Sequence, residues 1–281
     1  MPELPEVETV VRDLCDSGFV GRTIVGSRIS WERTIEKMSA STFKTKVHGS
    51  TIVSVTRRAK YIVIELSSGQ WLLIHLRMTG KLVMAEDGVP HPTHERVVLV
   101  LDNGSELRFI DTRKFGRWTL LKDAEERLGK LGPELLSATF KPKHLYEILQ
   151  SHHRKLKPLL LDQHILAGLG NIYVDEAMWD AKVHPCSPSD TLTEAQAHAL
   201  YKSIRKVLRK GIKSMGTSLG TGKGNFYSVA GRRGRNQDGL QVFRRTGEPC
   251  PRCETTIERM IVGQRSTHLC PECQVVLEKS N

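Results

Sequence analysis

Residues 61–76 read YIVIELSSGQWLLIHL, and this stretch decides the fold of the first half of the chain. Two apolar runs flank Ser68-Gly69, a pair typical of a tight turn, so the stretch predicts an antiparallel hairpin. Similar runs follow on both sides, namely TIVSV, KLVMA, RVVLVL, ELRFI and WTLL, and Asp102-Asn103-Gly104 predicts a further turn. Short strands joined by such turns favour an antiparallel β-sandwich or barrel.

A helix is predicted before these strands, over residues 5–14, PEVETVVRDL. Pro5 suits a first helical turn, and the carboxylates of Glu6 and Glu8 suit the positive end of the helix dipole. The apolar residues expected on one face are Val7, Val10, Val11 and Leu14. The strand region therefore begins with one amphipathic helix.

The second half of the chain has a helical period. A polar stretch at 122–142, broken by Gly132-Pro133, reads as a linker, and helices are predicted at 144–150, 156–163, 172–179 and 192–210. The sequence AGLGN at 167–171 permits a tight turn and offers Asn171 as an N-cap. It fits either a phosphate-binding helix start or a plain helical hairpin. The fold class expected is α+β with two domains.

Residues 216–238 contain six glycines and four basic residues but few apolar side chains. Such a composition predicts a mobile loop. It is typical either of a disordered connection or of a lid that becomes ordered on a ligand.

Four of the six cysteines occur as two CxxC pairs, Cys250 with Cys253 and Cys270 with Cys273. Two such pairs at this separation predict a zinc ribbon, in which four thiolates bind one tetrahedral ion. Disulfides are the alternative, and His268 is a possible but worse-spaced ligand. A closed shell of four sulfur atoms would make the zinc structural.

The net charge of +11 is concentrated near the C-terminus. Residues 201–281 hold sixteen Lys and Arg residues against six Asp and Glu residues, which leaves a net charge of only +1 for residues 1–200. A basic segment of this kind suggests a polyanionic partner, although a solubilising surface has the same composition. No apolar run reaches membrane-spanning length, and the acidic N-terminus does not resemble a secretory signal, so a cytoplasmic protein is expected.

The N-terminus itself is a candidate reactive group. Removal of the initiator Met would expose the secondary amine of Pro2, and an α-amino group that titrates near 8 is roughly a tenth neutral at pH 7. A neutral secondary amine attacks a sugar C1′ to give an iminium that promotes β-elimination. Glu3 and Glu6 are close enough in sequence to assist as acid or base. On the residues alone, Pro2 is more readily interpreted as the place where the chain starts.

Taken together, the motifs resemble those of the formamidopyrimidine-DNA glycosylases, within the superfamily that also contains endonuclease VIII. The resemblance spans the whole chain. It rests on MPELPEVET at 1–9, RRAKY at 57–61, HLRMTG at 75–80, DTRKFG at 111–116, LDQHILAGLGNIYVDE at 161–176 and the cysteine segment at 250–273.

The resemblance implies a bifunctional DNA glycosylase and AP lyase. Pro2 would be the nucleophile, Glu3 would donate a proton to the opening sugar, and Glu6 would support the N-terminal site. Lys60 would contact the phosphate beside the lesion, although this chain has Ala59 where the family usually has glycine. The enzyme would excise oxidised purines, such as 8-oxoguanine and formamidopyrimidines, through a Schiff base at Pro2 and would then cleave the strand by β,δ-elimination.

The resemblance also implies contacts with duplex DNA. His75, Asn171 and Arg265 would hold the backbone of the lesion strand. A second set, Met78, Arg113 and Phe115, would enter the duplex when the damaged nucleotide is flipped out. On the residues alone, Met78 and Phe115 would be interpreted as sandwich core and Arg113 as a surface charge.

The expected division is an N-terminal helix and β-sandwich catalytic domain at 2–132, a helical domain at 133–240, and a zinc-finger segment at 241–281. The helical domain would contain a helix-two-turn-helix and the lesion-capping loop at about 216–238. We expect a monomer that binds damaged double-stranded DNA and one structural Zn²⁺. No binding to a membrane is expected. The alternatives are an endonuclease VIII-type enzyme for oxidised pyrimidines and a non-catalytic damaged-DNA-binding protein.

Overall fold

The first half of the chain folds as two packed β-sheets in a computed structural model that describes residues 1–86, 88–220 and 226–277. The strands are β1 Ile24–Ile29, β2 Ile35–Glu36, β3 Ile52–Arg58, β4 Tyr61–Leu66, β5 Trp71–His75, β6 Lys81–Ala85, β7 Glu95–Leu101, β8 Glu106–Ile110 and β9 Arg117–Leu121. One sheet has the order β1-β7-β8-β6, the other has the order β2-β9-β5-β4-β3, and the β2–β9 pair is parallel whereas the other pairs of these two sheets are antiparallel. The predicted antiparallel sandwich is confirmed.

The turn that the sequence places at Ser68-Gly69 joins β4 to β5. The N–H of Gly69 donates to the Leu66 carbonyl (2.9 Å), and Gly69 has a φ of +73°. This turn sets the register in which Ile64 lies opposite Leu72. Both residues are fully buried, and a slip of one residue would move a side chain off the core face.

Helix α1, Leu4–Asp16, covers the sandwich. Its four predicted apolar residues are all buried in the core that both sheets share. Two short helices complete this part of the fold, α2 Ala40–Val47 and α3 Glu125–Leu128. The helix over 5–14 is thus confirmed, with two further residues at its C-terminal end and one at its N-terminal end.

The second half contains α4 Pro142–Gln150, α5 Leu156–Leu161, α6 Asn171–Asp180 and α7 Glu194–Lys213. The N-cap of α6 is Gly170, and Asn171 is its first helical residue. The expectation that Asn171 caps this helix is therefore wrong by one position. Its side-chain amide Nδ2 instead donates to the carbonyl of Ser266 (2.9 Å). None of the helices in the described ranges has the length and hydropathy required to span a membrane.

A two-stranded hairpin, β10 Glu258–Val262 and β11 Arg265–Leu269, lies between the two cysteine pairs. A buried ion pair fixes it to α5 and α6. The Lys157 ammonium donates to Asp175 Oδ1 (2.6 Å), to Thr267 Oγ1 (2.8 Å) and to the Ser266 carbonyl (3.0 Å). Because all three protons of the ammonium have acceptors, the charge is compensated and the hairpin has a defined position relative to the two helices.

The chain divides into two compact units. The first unit is Met1–Lys130 with Gly211–Gln237, and the second unit is Leu131–Lys210 with Asp238–Asn281. This division differs from the predicted segments because 211–237 joins the first unit. In the predicted loop 216–238, residues 221–225 lie outside the described residues. Many of its described residues form hydrogen bonds, and Val229 packs into the sandwich core, so the described residues of this segment have more order than its composition predicts.

Candidate active site

The first turn of α1 fixes the predicted N-terminal site. Pro2, Glu3 and Glu6 are all buried, whereas Met1 is exposed. Glu3 is the N-cap, and a capping box joins it to Glu6. In this box the Glu3 side chain accepts from the Glu6 backbone, and Glu6 Oε2 accepts from the Glu3 N–H (2.8 Å). The reciprocal bonds hold both carboxylates close to Pro2 in the chain.

The second oxygen of Glu6 is bound from far along the chain. Glu6 Oε1 accepts from the backbone N–H of Thr217 (2.7 Å). The preceding residue, Gly216, has a φ of +81°, and a Cβ there would lie 2.8 Å from Glu6 Cγ. Glycine is therefore required at 216 both for the backbone conformation and for the close approach. Sequence reasoning missed these two residues, whose only local signal is a glycine at the start of the Gly-rich segment.

Lys60 lies in the turn between β3 and β4 and is only 5% exposed. Its neighbour Ala59 has a φ of +52°, a conformation in which glycine is less strained. Arg57 supports this turn, because its Nη1 donates to the Ala59 carbonyl (3.0 Å) and its Nε donates to Glu8 Oε2 (2.9 Å). Arg57, which the sequence did not single out, thereby ties the Lys60 turn to α1.

His75 ends β5 and lies opposite Tyr61, whose ring it meets edge-on at 4.8 Å. Burial, followed by the positive charges of Arg77 and Lys60, lowers the pKa of His75 from 6.5 to about 3. His75 is therefore neutral at pH 7. Because Nδ1 accepts from the backbone N–H of Arg77 (3.0 Å), the ring proton resides on Nε2. The ring consequently offers a neutral N–H donor, which suits a phosphate oxygen.

Met78, Arg113 and Phe115 form a surface cluster, called the wedge below. The Arg113 guanidinium lies over the Phe115 ring (4.8 Å to its centroid), and its Nη1 is 3.1 Å from Met78 Sδ. Met78 is 43% exposed and Phe115 is 45% exposed. The interpretation of these two residues as sandwich core is therefore wrong, whereas Arg113 is a surface residue as the residues alone indicate.

The buried carboxylate of Asp111 organises the wedge. Its Oδ1 accepts from the Thr79 hydroxyl (2.5 Å) and from the Arg113 N–H (3.2 Å), and its Oδ2 accepts from the Gly116 N–H (2.8 Å). The segment before β6 and the segment before β9 are thus held by one side chain. Asp111 was missed as a functional residue, although it opens the DTRKFG motif.

In the second unit, the structure brings the two predicted backbone contacts close to each other. Arg265 is exposed at the start of β11. Asn171 reaches the next residue, because its amide binds the Ser266 carbonyl. The turn before Arg265 contains Gly263 and Gln264, both with positive φ. An exposed guanidinium and a helix N-terminus therefore lie on neighbouring elements, a combination that suits phosphate.

The four predicted zinc ligands form one cluster, in which all sulfur atoms lie within 4.8 Å of one another. Tetrahedral zinc with Zn–S bonds of about 2.3 Å requires sulfur separations of about 3.8 Å, so the donor set and its spacing fit the ion. None of the four cysteines forms a disulfide, so each sulfur atom is available as a zinc ligand. His268 is not a member of the cluster, and its Nδ1 lies 3.2 Å from Asp175 Oδ2.

Comparison with known proteins gives matches over most of the chain. The model of the formamidopyrimidine-DNA glycosylase N-terminal domain matches residues 1–118, and that of the H2TH domain of the same enzymes matches residues 131–223. A zinc finger found in FPG and IleRS matches residues 247–275.

Individual proteins give the same result. A formamidopyrimidine-DNA glycosylase of Protochlamydia amoebophila is 46% identical over 274 residues, which are 98% of this chain and 99% of that protein. A mutant of the Lactococcus lactis FPG in complex with a Fapy-dG containing DNA has a TM-score of 0.90 and 38% identity, covering 98% of this chain and 100% of that one. The Lactococcus lactis Fpg in complex with an abasic site containing DNA has a TM-score of 0.89 and 37% identity, with coverage of 98% and 100%.

Proposed function

Because the chain belongs to the formamidopyrimidine-DNA glycosylase family and is a DNA glycosylase with AP lyase activity, we propose that Pro2 is its nucleophile. The observation that carries this proposal is the buried first turn of α1, in which Glu3 and Glu6 bind each other beside Pro2. A protein that only binds DNA has no need for two buried carboxylates at its N-terminus, because their desolvation is costly.

The chemistry follows from this arrangement. With Met1 removed, the lone pair of the neutral Pro2 nitrogen attacks C1′ of the damaged nucleotide, and the base leaves with the electron pair of its bond to C1′ and takes up a proton from water. Glu3 donates a proton to the ring oxygen as the sugar opens, and the nitrogen loses its proton to give a charged iminium. The iminium accepts the electrons released when the C2′ proton leaves, so the 3′ phosphate is expelled. A second elimination, in which the C4′ proton leaves, then expels the 5′ phosphate, and hydrolysis of the imine by water returns the Pro2 amine.

Four residues are proposed to hold the lesion strand. Lys60 supplies a positive charge and His75 supplies a neutral Nε2–H donor on the first unit. Asn171 and Arg265 supply an amide and a guanidinium on the second unit. Charged donors and neutral N–H donors are both typical of phosphate contacts, which fix the position of the duplex without reading its sequence.

The wedge is proposed to fill the space that the flipped nucleotide leaves. Extrusion of a base costs a few kcal/mol, and apolar side chains inserted between bases offset part of that cost. Met78 and Phe115 are exposed as this role requires, and Arg113 carries donors for the orphaned cytosine. We therefore propose oxidised purines opposite cytosine as the preferred substrates, with residues 216–238 covering the everted base.

One zinc ion, held by the four cysteines, is a structural component of the protein. We propose that 2–132 carries the chemistry and that 133–240 and 241–281 contact DNA.

We also propose that the protein acts as a monomer in the cytoplasm. Light scattering of the free protein should give a mass near 31.6 kDa, and a mass of twice that value would contradict the monomer.

Borohydride trapping tests the nucleophile. Untagged protein is mixed with a duplex that carries one 8-oxoguanine opposite cytosine, the imine is reduced, and the adduct is located by peptide mapping. We expect a covalent adduct at Pro2, and none with Pro2→Gly or with a protein that retains Met1. An adduct at a lysine, or trapping by a tagged N-terminus, would overturn the assignment.

Substrate preference is tested separately. Excision from an 8-oxoguanine:C duplex is compared with excision from a thymine glycol:A duplex under single-turnover conditions. We expect faster release of the purine, and faster release of thymine glycol would favour the endonuclease VIII type of specificity.

A further inference from the structure

The described residues at 226–234 form a small hairpin within the first unit. Tyr227 and Arg233 are bridged as in an antiparallel pair, and the Ser228 N–H donates to the Arg232 carbonyl (2.9 Å). The turn closes with the Gly231 N–H on the Ser228 carbonyl (3.0 Å), and Gly231 has a φ of +72°. The segment is called the strap hairpin below.

Ser218 holds the base of the strap hairpin. Its hydroxyl donates to the Phe226 carbonyl (2.5 Å) and accepts from the Gly234 N–H (3.0 Å). The two ends of the hairpin therefore meet at one buried side chain. The residue before Ser218 is Thr217, whose N–H binds Glu6. The base of the hairpin is thus connected directly to the N-terminal site.

Asp13 holds the tip. Its Oδ2 accepts from the Ala230 N–H (3.0 Å), its Oδ1 binds the Arg232 guanidinium, and its side chain also bonds the Ser228 hydroxyl. Burial favours the neutral acid, but the bonds to Ser228, Ala230 and Arg232 outweigh it and hold the pKa of Asp13 below its ordinary value. The carboxylate is therefore ionised at neutral pH.

Two carboxylates of one helix thus bind two backbone N–H groups of the segment 216–238, those of Thr217 and Ala230. Glu6 and Asp13 are seven residues apart on α1, or about 10.5 Å along its axis. Between these anchors, Val229 inserts into the sandwich core. The strap hairpin consequently has a position fixed by α1, although it belongs to a segment that is rich in glycine.

We propose that Asp13 is a positioning residue for base excision: it anchors the strap hairpin, residues 226–234 of the segment proposed to cover the everted base. This inference rests on the proposed function of that segment. An abasic nucleotide has no base to cover, so loss of the anchor should slow base release and spare strand cleavage at a preformed abasic site. The capping box of α1 does not involve Asp13 and should keep Pro2 in place.

The test compares Asp13→Asn with Asp16→Asn. The first change replaces an acceptor with an amide that faces the donors of Ala230 and Arg232, whereas the second removes the same charge from an exposed position of the same helix. We expect Asp13→Asn to lower the single-turnover rate of 8-oxoguanine release at least tenfold and to leave abasic-site cleavage within twofold of wild type. Asp16→Asn should match wild type in both assays.

Amide hydrogen exchange provides the structural readout. Asp13→Asn should lose protection at Ala230 and Gly234, and Asp16→Asn should not. If Asp13→Asn does not fold, Arg232→Gln removes the same ion pair from its exposed partner. In a double-mutant cycle, the fold-loss of base release in the variant that carries both changes should be smaller than the product of the fold-losses of Asp13→Asn and Arg232→Gln, because both changes break the same contact.

Three results would overturn the inference. They are unchanged protection at Ala230, unchanged 8-oxoguanine release from a variant whose hairpin is unprotected, and equal losses of base release and abasic-site cleavage. Failure of the proposed function would look different, since the wild-type protein itself would then give no adduct at Pro2.

Discussion

Gly216 approaches the side chain of Glu6 so closely that no other residue fits without movement. A Cβ at this position would lie 2.8 Å from Glu6 Cγ and 2.9 Å from Oε1. We expect Gly216→Ala to displace the carboxylate and to lower 8-oxoguanine release at least tenfold, measured in a single turnover. Gly69→Ala is the matched control, because Gly69 also has a positive φ (+73°) but has open space where the Cβ would be.

Both substitutions strain the backbone, at a cost of about 1–2 kcal/mol each. The melting temperatures of the two variants should therefore both fall, whereas only Gly216→Ala should lose activity. Full activity in a folded Gly216→Ala protein would mean that the position of the Glu6 carboxylate does not limit the reaction.

At the scale of elements, the sequence predicts the strands and helices that a local pattern of residues encodes. Apolar runs and tight turns predict β4 and β5, and a four-residue apolar face predicts α1. The contacts of residues 216–238 carry no such pattern. The Thr217 and Ala230 amides bind carboxylates more than 200 residues away, and a backbone N–H is present in almost every residue.

The exposure of the two apolar wedge residues also could not be predicted from the local sequence pattern. Met78 and Phe115 are apolar residues beside predicted strands, and such residues are usually buried. Their exposure follows from the bonds of Asp111, which hold the two segments that carry these side chains at the surface.

The carboxylates of the N-terminal site could be predicted because their relation is local. Glu3 and Glu6 have the three-residue spacing of a capping box and lie beside Pro2 in the chain.

The fluorescence of Trp179 reports on the zinc ribbon. Its indole N–H donates to Cys250 Sγ (3.4 Å), and its ring lies 4.0 Å from the Arg252 guanidinium. We expect zinc removal to unfold β10 and β11, to change the Trp179 fluorescence and to abolish DNA binding. The buried Trp118 of the sandwich should keep its emission.

Trp179→Phe serves as the spectroscopic control, since its fluorescence should no longer respond to chelation. DNA binding that persists in a sample verified as free of zinc would contradict the expectation that the ion holds a hairpin needed for DNA binding.

At the scale of the whole molecule, the excess positive charge predicts strongly salt-dependent DNA binding. The proposed phosphate contacts divide by charge. Lys60 and Arg265 are cationic, whereas Asn171 is uncharged and His75 is neutral because its pKa is about 3. Only cations release counterions when they bind phosphate, so the two kinds of contact should differ in the slope of log K against log salt concentration.

We therefore expect Lys60→Ala and Arg265→Ala each to reduce that slope by about 0.9. His75→Ala and Asn171→Ala should weaken binding by a similar factor at every salt concentration and leave the slope unchanged. Lys44→Ala, at an exposed position of α2, is the control and should alter neither quantity. Affinities would be measured by fluorescence anisotropy on an abasic-site analogue duplex at pH 7. A slope that falls as much for His75→Ala as for Lys60→Ala would mean that His75 binds phosphate as a cation, contrary to its buried environment.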